Sequence, residues 1–448
     1  MSPDQPTMGL PFWIDIERPV FPELDRSTSV EAVVIGAGIA GLKLARVLNR
    51  LGIDTIVVEG AGVGEGASSR NQGTINHGSG MSYLECIAAH SRETARQLWQ
   101  LGLENHRLLR EQIDEYQIDC DYQMDGMTTL VRRDLTGWEA LADSQSREAE
   151  LLQEDGFDVS FLGEHDAQQT GGNTIYASAL RYNNDAQFHS GKFVMGLAQA
   201  IAALPFITLY ERSRVEKIQS VGDETSVHVN GCELRTRRVF LSTNALVPQF
   251  VPDLATPLRA ERGQVLVTEP LSERPCCGSF GTPLAWWREI TEPDGRFRLL
   301  FGGGRTREEP DSLFPQFDEA GRPHSQLETE GFRPSPAHQA RLDAQLSLLF
   351  PQLTSFRITH RWGGLQSFTA DDLPQVGLFD EARRICGIAG FSGRGNCYSD
   401  VGAEYLAAKA CGCEPQLPDK CCRLFESIMV PRRSSADWHN DWISRSKV

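Results

Sequence analysis

A glycine-rich turn near residue 36 is the feature that most constrains the fold of this chain. The apolar run at 33–35 leads directly into the sequence Gly36-Ala37-Gly38-Ile39-Ala40-Gly41. A helical pattern follows over 39–51, and the next apolar run, at 56–58, ends at the acidic residue Glu59. Strand, glycine turn, helix, strand and acid in this order predict a βαβ unit that binds a dinucleotide.

Each glycine of the turn meets a different steric need. Gly36 permits the tight turn, Gly38 allows the backbone to approach a pyrophosphate, and Gly41 allows the helix to pack closely on the strand. The N–H groups at the start of the helix face the phosphates, together with the positive end of the helix dipole. Glu59 follows at the position where a carboxylate accepts hydrogen bonds from ribose hydroxyls.

Charge and composition exclude several classes of function. The net charge of −16 argues against nucleic acid or an anionic membrane surface as the main partner. The chain has no apolar run of about 18 residues, so no membrane span is expected. The first residues lack the basic stretch of a signal peptide, and an odd number of cysteines suits a reducing cytoplasm better than a disulfide framework. We therefore expect a cytoplasmic protein.

A group of cysteines near the C terminus raises the question of a metal site. Neither their spacing nor a nearby histidine matches a familiar zinc module. Ordinary thiols are therefore expected at Cys411, Cys413, Cys421 and Cys422. No metal ion is predicted for this chain.

Local patterns predict secondary structure along the rest of the chain. The glycine- and serine-rich stretch 60–80 is too polar for a core element, whereas 84–116 has a helical pattern. Ser335-Pro336 opens a helix that ends at Pro351, with the serine as its cap and the proline at its first position. Strand-like runs occur at 264–268, 284–290 and 297–301.

Several further segments occur in a characteristic order between about residues 12 and 412. They are the glycine turn with Glu59, Gly66-Ala67-Ser68-Ser69-Arg70-Asn71-Gln72-Gly73, Met195-Gly196-Leu197-Ala198, Ser242-Thr243-Asn244-Ala245, Arg262-Gly263-Gln264, Arg361-Trp362-Gly363-Gly364, Asp371-Asp372-Leu373-Pro374-Gln375-Val376-Gly377 and Gly390-Phe391-Ser392-Gly393. With these segments the chain resembles the D-amino-acid oxidase-like (DAO) family of FAD-dependent amine oxidoreductases. Within that family it is most similar to the glycine oxidase, sarcosine oxidase and γ-glutamylputrescine oxidase group.

The resemblance implies an α/β fold with interleaved domains. A Rossmann-type FAD-binding domain would alternate along the chain with an α+β substrate domain built on a mostly antiparallel sheet. The expected division is an N-terminal arm at 1–29, FAD-binding segments at 30–85, 181–255 and 356–415, substrate-domain segments at 86–180 and 256–355, and a C-terminal tail at 416–448.

The resemblance also assigns residues to the flavin. In the family, the segment matching Ser69-Arg70-Asn71 wraps the pyrophosphate and the edge of the isoalloxazine ring, and the strand near Val215 contacts adenine. The loop 390–396 opens a helix whose dipole would face the flavin N1–C2=O edge. The implied FAD contacts are Gly36, Gly38, Ile39, Ala40, Gly41, Glu59, Ser68, Ser69, Arg70, Asn71, Gln72, Gly73, Val215, Thr243, Asn244, Gly390, Phe391, Ser392, Gly393, Arg394, Gly395 and Asn396.

Non-covalent attachment of FAD is expected. Some family members attach the flavin through a cysteine after the Trp-Gly position, but the stretch 365–369 has none here. Others use a histidine in the loop after the first βαβ unit, where this chain has Arg70. His77 is the nearest alternative attachment point, although such a histidine is more often a polar neighbour of the ring.

The chemistry implied by the resemblance is oxidation of a C–N bond in an amine or amino acid. A hydride would pass from the carbon next to the nitrogen to flavin N5, and the imine product would hydrolyse. Molecular oxygen is the expected acceptor. No acid–base side chain is required if the amine binds unprotonated, so no catalytic residue is predicted.

Substrate contacts are expected in the segment 255–350. Arg288 and Arg305 have the geometry to clamp a carboxylate, and Trp287 to wall an amine site. Arg394, in the flavin loop, is a further candidate for a substrate carboxylate. Against these roles, arginines in acidic proteins are mostly surface ion pairs, and tryptophans are mostly core residues.

Two alternatives to an oxidase remain open at this point. A dehydrogenase of the same fold would pass electrons to a quinone or a carrier protein and react slowly with oxygen. A redox-inert flavin-binding module within an assembly would keep the FAD segments without turnover.

Overall fold

A computed structural model describes residues 5–255, 257–303 and 331–431. Its strands, numbered along the chain, are β1 Thr7–Met8, β2 Thr28–Ile35, β3 Thr55–Val58, β4 Thr74–Ile75, β5 Met127–Arg132, β6 Val159–Leu162, β7 Tyr176–Tyr182, β8 Ala186–Gln187, β9 Ile207–Tyr210, β10 Val215–Val221, β11 Glu224–Val229, β12 Cys232–Leu241, β13 Arg259–Thr268, β14 Ser279–Gly281, β15 Ala285–Thr291, β16 Phe297–Gly303, β17 Ile358–Phe368, β18 Gln375–Asp380 and β19 Ile385–Ala389. Its described α-helices are α1 Ile39–Arg50, α2 Tyr83–Ala89, α3 Arg92–Glu115, α4 Trp138–Glu154, α5 Glu164–Gly171, α6 Ser190–Ala202, α7 Pro336–Leu349, α8 Gly395–Ala410 and α9 Asp419–Ser427.

One sheet is organised around parallel strands in the order β9, β3, β2, β12 and β19. Strand β12 also pairs antiparallel with β11 near its start, so the β10–β11 hairpin extends the same sheet. The apolar run of β2 is buried on both faces, with Val34 in one hydrophobic cluster and Val33 and Ile35 in another. Burial on both faces is typical of a parallel sheet and explains why the run has no polar alternation.

The second sheet is mostly antiparallel and has the strand order β1-β17-β13-β16-β15-β14-β5-β7-β6. Its two parallel contacts are β1 with β17 and β14 with β5. Strand β17 lies in this sheet although the predicted segment 356–415 groups it with the FAD-binding elements. The α/β class and the mostly antiparallel second sheet are as predicted, and the domain boundaries themselves stay a prediction.

The helices α1 and α8 pack against each other and share a core with α3. A buried ion pair joins the first two, because the Nζ atom of Lys43 contacts a carboxylate oxygen of Asp400. Lys43 Nζ also donates to Ser399 Oγ at 2.9 Å, and Gln112 of α3 donates to the same carboxylate. Three helices are thus tied together by polar contacts inside the core.

Two local predictions differ from the structure. The helical pattern at 84–116 forms two helices, because Ser91 lies between them and its side chain accepts a hydrogen bond from Thr94 N–H as an N-cap. The stretch 60–80 is not peripheral: Ser69, Thr74 and His77 are buried within it. Its polar side chains can be buried because neighbouring groups form hydrogen bonds with them.

No α-helix among the residues with described coordinates is long and apolar enough to cross a membrane.

Candidate active site

The glycine turn between β2 and α1 has little steric freedom. Gly36 has a φ of +102°, which favours glycine. A Cβ atom at Gly41 would lie 1.8 Å from the carbonyl oxygen of Gly36, and one at Gly38 would lie 2.8 Å from Ser68 Oγ. The tight turn predicted at Gly36 and the close packing predicted at Gly41 agree with these values, and the approach of Gly38 to a pyrophosphate stays a prediction.

The acidic residue at the end of β3 holds the turn in place. Glu59 Oε2 accepts a hydrogen bond from Ala37 N–H, and its Oε1 accepts one from Ala61 N–H, both at 2.9 Å. Glu59 also lines the cleft beside the turn. Its contacts to the two backbone amides were not anticipated from the sequence.

Two adjoining clefts lie at this edge of the parallel sheet. The first, here called the nucleotide cleft, encloses about 980 Å³ of empty space including its open mouth, and its lining includes Gly36, Gly38, Glu59, Ser68, Val215, Thr243 and Asn244. The second, the loop cleft, encloses about 620 Å³, and its lining includes Gly38, Ile39, Ala40, Ser68, Asn71, Asn244, Phe391, Gly393, Gly395 and Asn396. Residues shared by both linings, Gly38, Ser68 and Asn244 among them, make the clefts continuous.

Several polar atoms buried in the walls of both clefts have no partner within the part of the chain that the structure describes. They are Thr243 Oγ1 in the nucleotide cleft and Gln366 Oε1 and Ser367 Oγ in the loop cleft. Buried polar atoms are normally satisfied. Their position in these walls indicates that the clefts bind a ligand rich in polar groups.

The loop cleft is closed by the turn that leads into α8. Gly390, Ser392 and Gly393 all have positive φ values, and α8 begins at Gly395. Asn396 donates from Nδ2 to the carbonyl of Thr74 at 2.9 Å, which fixes the helix start against β4. The N-terminal end of α8 therefore faces the loop cleft, as the sequence predicts for a helix that stabilises negative charge on a ligand.

In the segment 68–73, some residues line the clefts and others make hydrogen bonds behind the cleft walls. Ser68 Oγ accepts from Ile39 N–H at 3.0 Å and lies at the start of α1. Asn71 lines the loop cleft, and its Oδ1 accepts from Gly73 N–H at 2.7 Å. Ser69 is fully buried and donates to the carbonyl of Gly64, so its side chain points away from the clefts.

Arg70 also lies behind the clefts. Its Nε donates to the carbonyl of Glu65 at 2.7 Å, and its Nη1 donates to the carbonyls of Gly9 and Gly363 at 3.0 and 2.9 Å. The guanidinium carbon lies 3.9 Å from the ring centroid of Phe332. These contacts connect the cofactor segment to the second sheet. The flavin contacts predicted from the resemblance for Gly41, Ser69, Arg70, Gln72, Gly73, Gly390 and Ser392 stay predictions, since none of these residues lines either cleft.

The structure argues against two of the predicted substrate contacts. Trp287 is fully buried and stacks between Phe280 and Phe301 in the core of the second sheet. Arg288 is 4 % exposed, and its Nη1 donates to the carbonyls of Gly73 and Phe188. Burial lowers the pKa of Arg288 to about 10, against an opposing effect of Asp125. Successive side chains of a strand point to opposite faces of its sheet. Trp287 therefore packs in the core, and Arg288, on the other face, donates to backbone carbonyls. Arg305 lies outside the described residues.

A third cavity, here called the charged cavity, adjoins the loop cleft. Arg394 lies between Gly393 and Gly395, which line the loop cleft, and its own side chain lines the charged cavity. The charged cavity encloses about 670 Å³ of empty space including its mouth, and its lining includes Asn76, His77, Trp99, Glu148, Tyr182, Asp185 and Arg394. Of these, only Arg394 was predicted to contact substrate.

An imidazole–carboxylate pair forms one wall of the charged cavity. His77 Nδ1 lies 2.5 Å from Asp185 Oδ1, and both residues are buried. Asp185 also accepts hydrogen bonds from the backbone N–H of His77 at 3.0 Å and from Asn76 Nδ2 at 3.2 Å. A carboxylate at Nδ1 keeps the proton on that nitrogen, so Nε2 is the acceptor. Nε2 has no hydrogen-bond partner among the described residues.

A carboxylate from α4 forms another part of the wall. Glu148 Oε1 accepts from Tyr83 N–H at 2.8 Å and from the hydroxyl of Tyr182 at 3.2 Å. Burial raises the pKa of Glu148 above its usual value of 4.5, although these two hydrogen bonds oppose the shift. Burial also raises the pKa of Tyr182, so its hydroxyl stays protonated and donates.

Within the described ranges, no group of three or more histidine, cysteine, aspartate or glutamate side chains is arranged to hold a metal ion.

This chain is similar to several known flavoenzymes. A family model described as "FAD dependent oxidoreductase" (DAO) matches residues 31–409. The γ-glutamylputrescine oxidoreductase of Escherichia coli is 26 % identical over 86 % of this chain and 85 % of its own length. The crystal structure of glycine oxidase from Geobacillus kaustophilus has a TM-score of 0.73 at 18 % identity, covering 92 % of this chain and all of the other. The L-amino acid deaminase of Proteus vulgaris has a TM-score of 0.68 at 18 % identity, covering 90 % of this chain and 99 % of the other.

Proposed function

Because this chain belongs to the DAO family of FAD-dependent oxidoreductases, we propose that it oxidises a C–N bond of an amine or amino acid. The observation that carries the proposal is a charged cavity directly beside the cleft that would hold the flavin. The names of similar proteins support the same substrate class, since they include a γ-glutamylputrescine oxidoreductase and an L-amino acid deaminase.

The two clefts fit FAD in shape and in chemistry. The adenosine half would occupy the nucleotide cleft, whose wall includes Glu59, the acidic residue expected near the ribose, and Val215. The pyrophosphate would meet the glycine turn and Ser68, and the flavin end would lie in the loop cleft against Asn71 and the start of α8. The unpaired atoms of Thr243, Gln366 and Ser367 are available to its polar groups.

We infer that FAD is bound without a covalent link. The stretch 365–369 has no cysteine, and the side chain of Arg70 is held by backbone carbonyls. His77, the alternative attachment point, has its Nδ1 paired with Asp185. Its Nε2 faces the charged cavity, which suits it to contact substrate.

When bound, FAD supplies the oxidant, accepting at N5 a hydride from the carbon next to the nitrogen. The residues of this chain would bind and orient the amine and would remove its proton, so that it reacts in the neutral form. The charged cavity is enclosed by buried side chains, which limits water around the reacting nitrogen. His77 Nε2 is an acceptor suited to remove the ammonium proton, and Asp185 orients the ring through its contact with Nδ1.

The proposal is tested with the purified holoprotein and a panel of amines and amino acids under anaerobic conditions. At least one compound is expected to bleach the visible absorption of the flavin and to yield an aldehyde or oxo acid. Failure of every amine and amino acid, with the flavin still reducible by dithionite, would contradict the function and favour a redox-inert flavin module.

We propose molecular oxygen as the electron acceptor. With the compound that bleaches the flavin, oxygen consumption is compared with reduction of an artificial dye. An oxidase consumes oxygen at the rate at which the flavin is reduced. Slow oxygen consumption with rapid dye reduction would instead indicate a dehydrogenase that uses a quinone or a carrier protein.

A further inference from the structure

The N-terminal arm reaches the wall of the loop cleft, although the proposed function gives it no role. Its strand β1 pairs with β17, and a short 3₁₀ helix follows at Phe12–Ile14. Within this helix Trp13 is fully buried, and its Nε1 donates a hydrogen bond to the backbone carbonyl of Asn71 at 2.7 Å. The arm therefore contacts the backbone of a residue that lines the loop cleft.

A second buried tryptophan makes the same contact one residue earlier. Trp362 of β17 is fully buried, and its Nε1 donates to the carbonyl of Arg70 at 3.1 Å. Neither Trp13 nor Trp362 belongs to the described lining of either cleft. Two successive carbonyls of the segment 68–73 are therefore bound from behind the cleft walls, each by an indole N–H.

The direction of each carbonyl fixes the direction of the amide in the same peptide unit. In a planar trans peptide, the C=O and N–H bonds point to opposite sides. Because the carbonyls of Arg70 and Asn71 point to the two indoles, the N–H groups of Asn71 and Gln72 point away from them. Within the described ranges, neither of these N–H groups has a hydrogen-bond partner.

The side chain of Asn71 has no polar capacity left for a ligand. Its Nδ2 donates to the carbonyls of Ala67 and Ser68, both at 2.9 Å. Its Oδ1 accepts from Gly73 N–H at 2.7 Å and from Ser190 Oγ at 2.8 Å. Because an amide side chain has two donor hydrogens and two acceptor lone pairs, these four contacts use it fully. The polar group that Asn71 can present to the loop cleft is therefore in its backbone.

Neighbouring groups hold the indole of Trp13 in place. The guanidinium carbon of Arg288 lies 5.5 Å from its ring centroid, and the ring of His189 meets it edge to face, with centroids 4.7 Å apart. A Cβ atom at Gly191 would lie 1.7 Å from the carbonyl oxygen of Trp13, so α6 packs directly against the arm. The indole N–H is thus a donor in a fixed position.

We propose that Trp13, together with Trp362, is a positioning residue for the cofactor. By binding the two carbonyls, the indoles aim the N–H groups of Asn71 and Gln72 at the flavin. The N-terminal arm then acts on the site without touching flavin or substrate. This inference rests on the proposed function because it takes the loop cleft as the place of the flavin.

The variant Trp13→Phe tests the inference in the holoprotein. Phenylalanine keeps an aromatic ring in the buried site but cannot donate to the Asn71 carbonyl, so the peptide should lose its fixed orientation. We expect FAD to leave the protein about two- to tenfold faster, the effect of one net hydrogen bond. The fluorescence of FAD released after dilution measures this rate. The visible absorption maxima of the bound flavin should also shift, because a donor to its ring is displaced.

Trp287→Phe is the matched control. Trp287 is also fully buried, and its Nε1 has no hydrogen-bond partner among the described residues. Both substitutions remove the same atoms from the interior, so a general loss of packing should appear in both variants. Only Trp13→Phe should change FAD release and the flavin spectrum. Wild-type release and spectrum in Trp13→Phe, or the same changes in Trp287→Phe, would overturn the proposal.

A measurement on the unmodified holoprotein gives a second test that does not depend on the folding of a variant. Hydrogen–deuterium exchange, followed by mass spectrometry, should be slow at the backbone amides of Asn71 and Gln72, because the flavin is their partner. Exchange at the rate of an unstructured peptide would contradict the proposal.

The outcomes for the two proposals are distinguishable. Amines that bleach the flavin, together with unchanged FAD release from Trp13→Phe, would remove the role of Trp13 and leave the oxidoreductase function intact. Faster FAD release from Trp13→Phe, together with a flavin that no amine reduces, would do the reverse.

Discussion

His77 is the residue of the charged cavity that is best placed to act as a proton acceptor. One ring nitrogen is fixed by Asp185 at 2.5 Å, and the other has no hydrogen-bond partner among the described residues. A carboxylate that orients an imidazole in this way is a common arrangement for a general base. The family resemblance placed His77 near the flavin, but Asp185 is far from it along the chain, and only the fold brings the two together.

The variant His77→Asn tests the proposed role as a base. The asparagine amide can still donate to Asp185, so the cavity should be preserved while the acceptor is lost. We expect flavin reduction by a bleaching amine to slow by about a hundredfold near neutral pH. The rate should then rise with pH, because only free amine from solution reacts. Stopped-flow reduction across a pH series measures this.

A control separates the proton acceptor from a general effect of losing a histidine. His165 lies exposed on α5, bonds the side chain of Gln169 at 3.0 Å and does not line the charged cavity. His165→Asn should therefore keep the wild-type rate and pH profile. An unchanged rate and profile in His77→Asn would show that His77 takes no proton from the substrate.

The raised pKa of Glu148 predicts a pH-dependent cost in stability. The folded protein holds this proton to higher pH than the unfolded chain, whose carboxyl titrates near 4.5. Stability contributed by the protonated form is thus lost as pH rises from that value through the folded pKa. Residue 148 does not titrate in Glu148→Gln, so the gain of its urea midpoint over the wild type should grow as the pH rises above about 4.5. Glu150 is exposed on the same helix and pairs with Arg147, so Glu150→Gln should differ from the wild type by a constant amount. A constant difference for Glu148→Gln would contradict the shift.

Among the secondary-structure elements, α1 and α8 depend on each other through Lys43 and Asp400. Burial lowers the pKa of Lys43, and the charge of Asp400 opposes that effect. Because α8 begins at the loop cleft and α1 begins at the glycine turn, this buried pair fixes the two helix starts that border the nucleotide and loop clefts. It therefore links core packing to cleft geometry.

Asp400→Asn tests this link between the helices. It leaves the Lys43 amine buried with a neutral partner, which should destabilise the protein by about 3–5 kcal/mol. Urea unfolding of the holoprotein measures the loss. Asp114→Asn is the matched control, since its partner Arg110 lies one turn away on the exposed side of α3. It should cost less than about 1 kcal/mol, and equal losses for the two variants would contradict the account.

Elements with strong local signals were predictable from sequence. The helix α7 begins at Pro336 with Ser335 as its cap, and the side chain of Ser335 accepts from His338 N–H as the residue types indicate. The strand β19 and the start of α8 follow the apolar run and glycine loop near 390. The break between α2 and α3 was missed because Ser91 acts as a cap inside an otherwise continuous helical pattern.

In the whole molecule, the site is assembled from segments that are far apart in sequence. The charged cavity takes Asn76 and His77 from the segment after β4, Glu148 from α4, Asp185 from the turn after β7 and Arg394 from the loop before α8. Motifs predict the cofactor clefts because the glycine turn and its acid are close in sequence. No local pattern relates Glu148 to His77, so the charged cavity could not be predicted.

We propose that this chain binds FAD in the clefts at the glycine turn and at the start of α8. The visible absorption spectrum of the purified protein, before and after acid precipitation and with mass analysis of any released pigment, tests this directly. A yellow protein that releases FAD into the supernatant is expected. Colour retained in the pellet would contradict non-covalent attachment. A colourless protein that takes up no added FAD would contradict FAD binding itself.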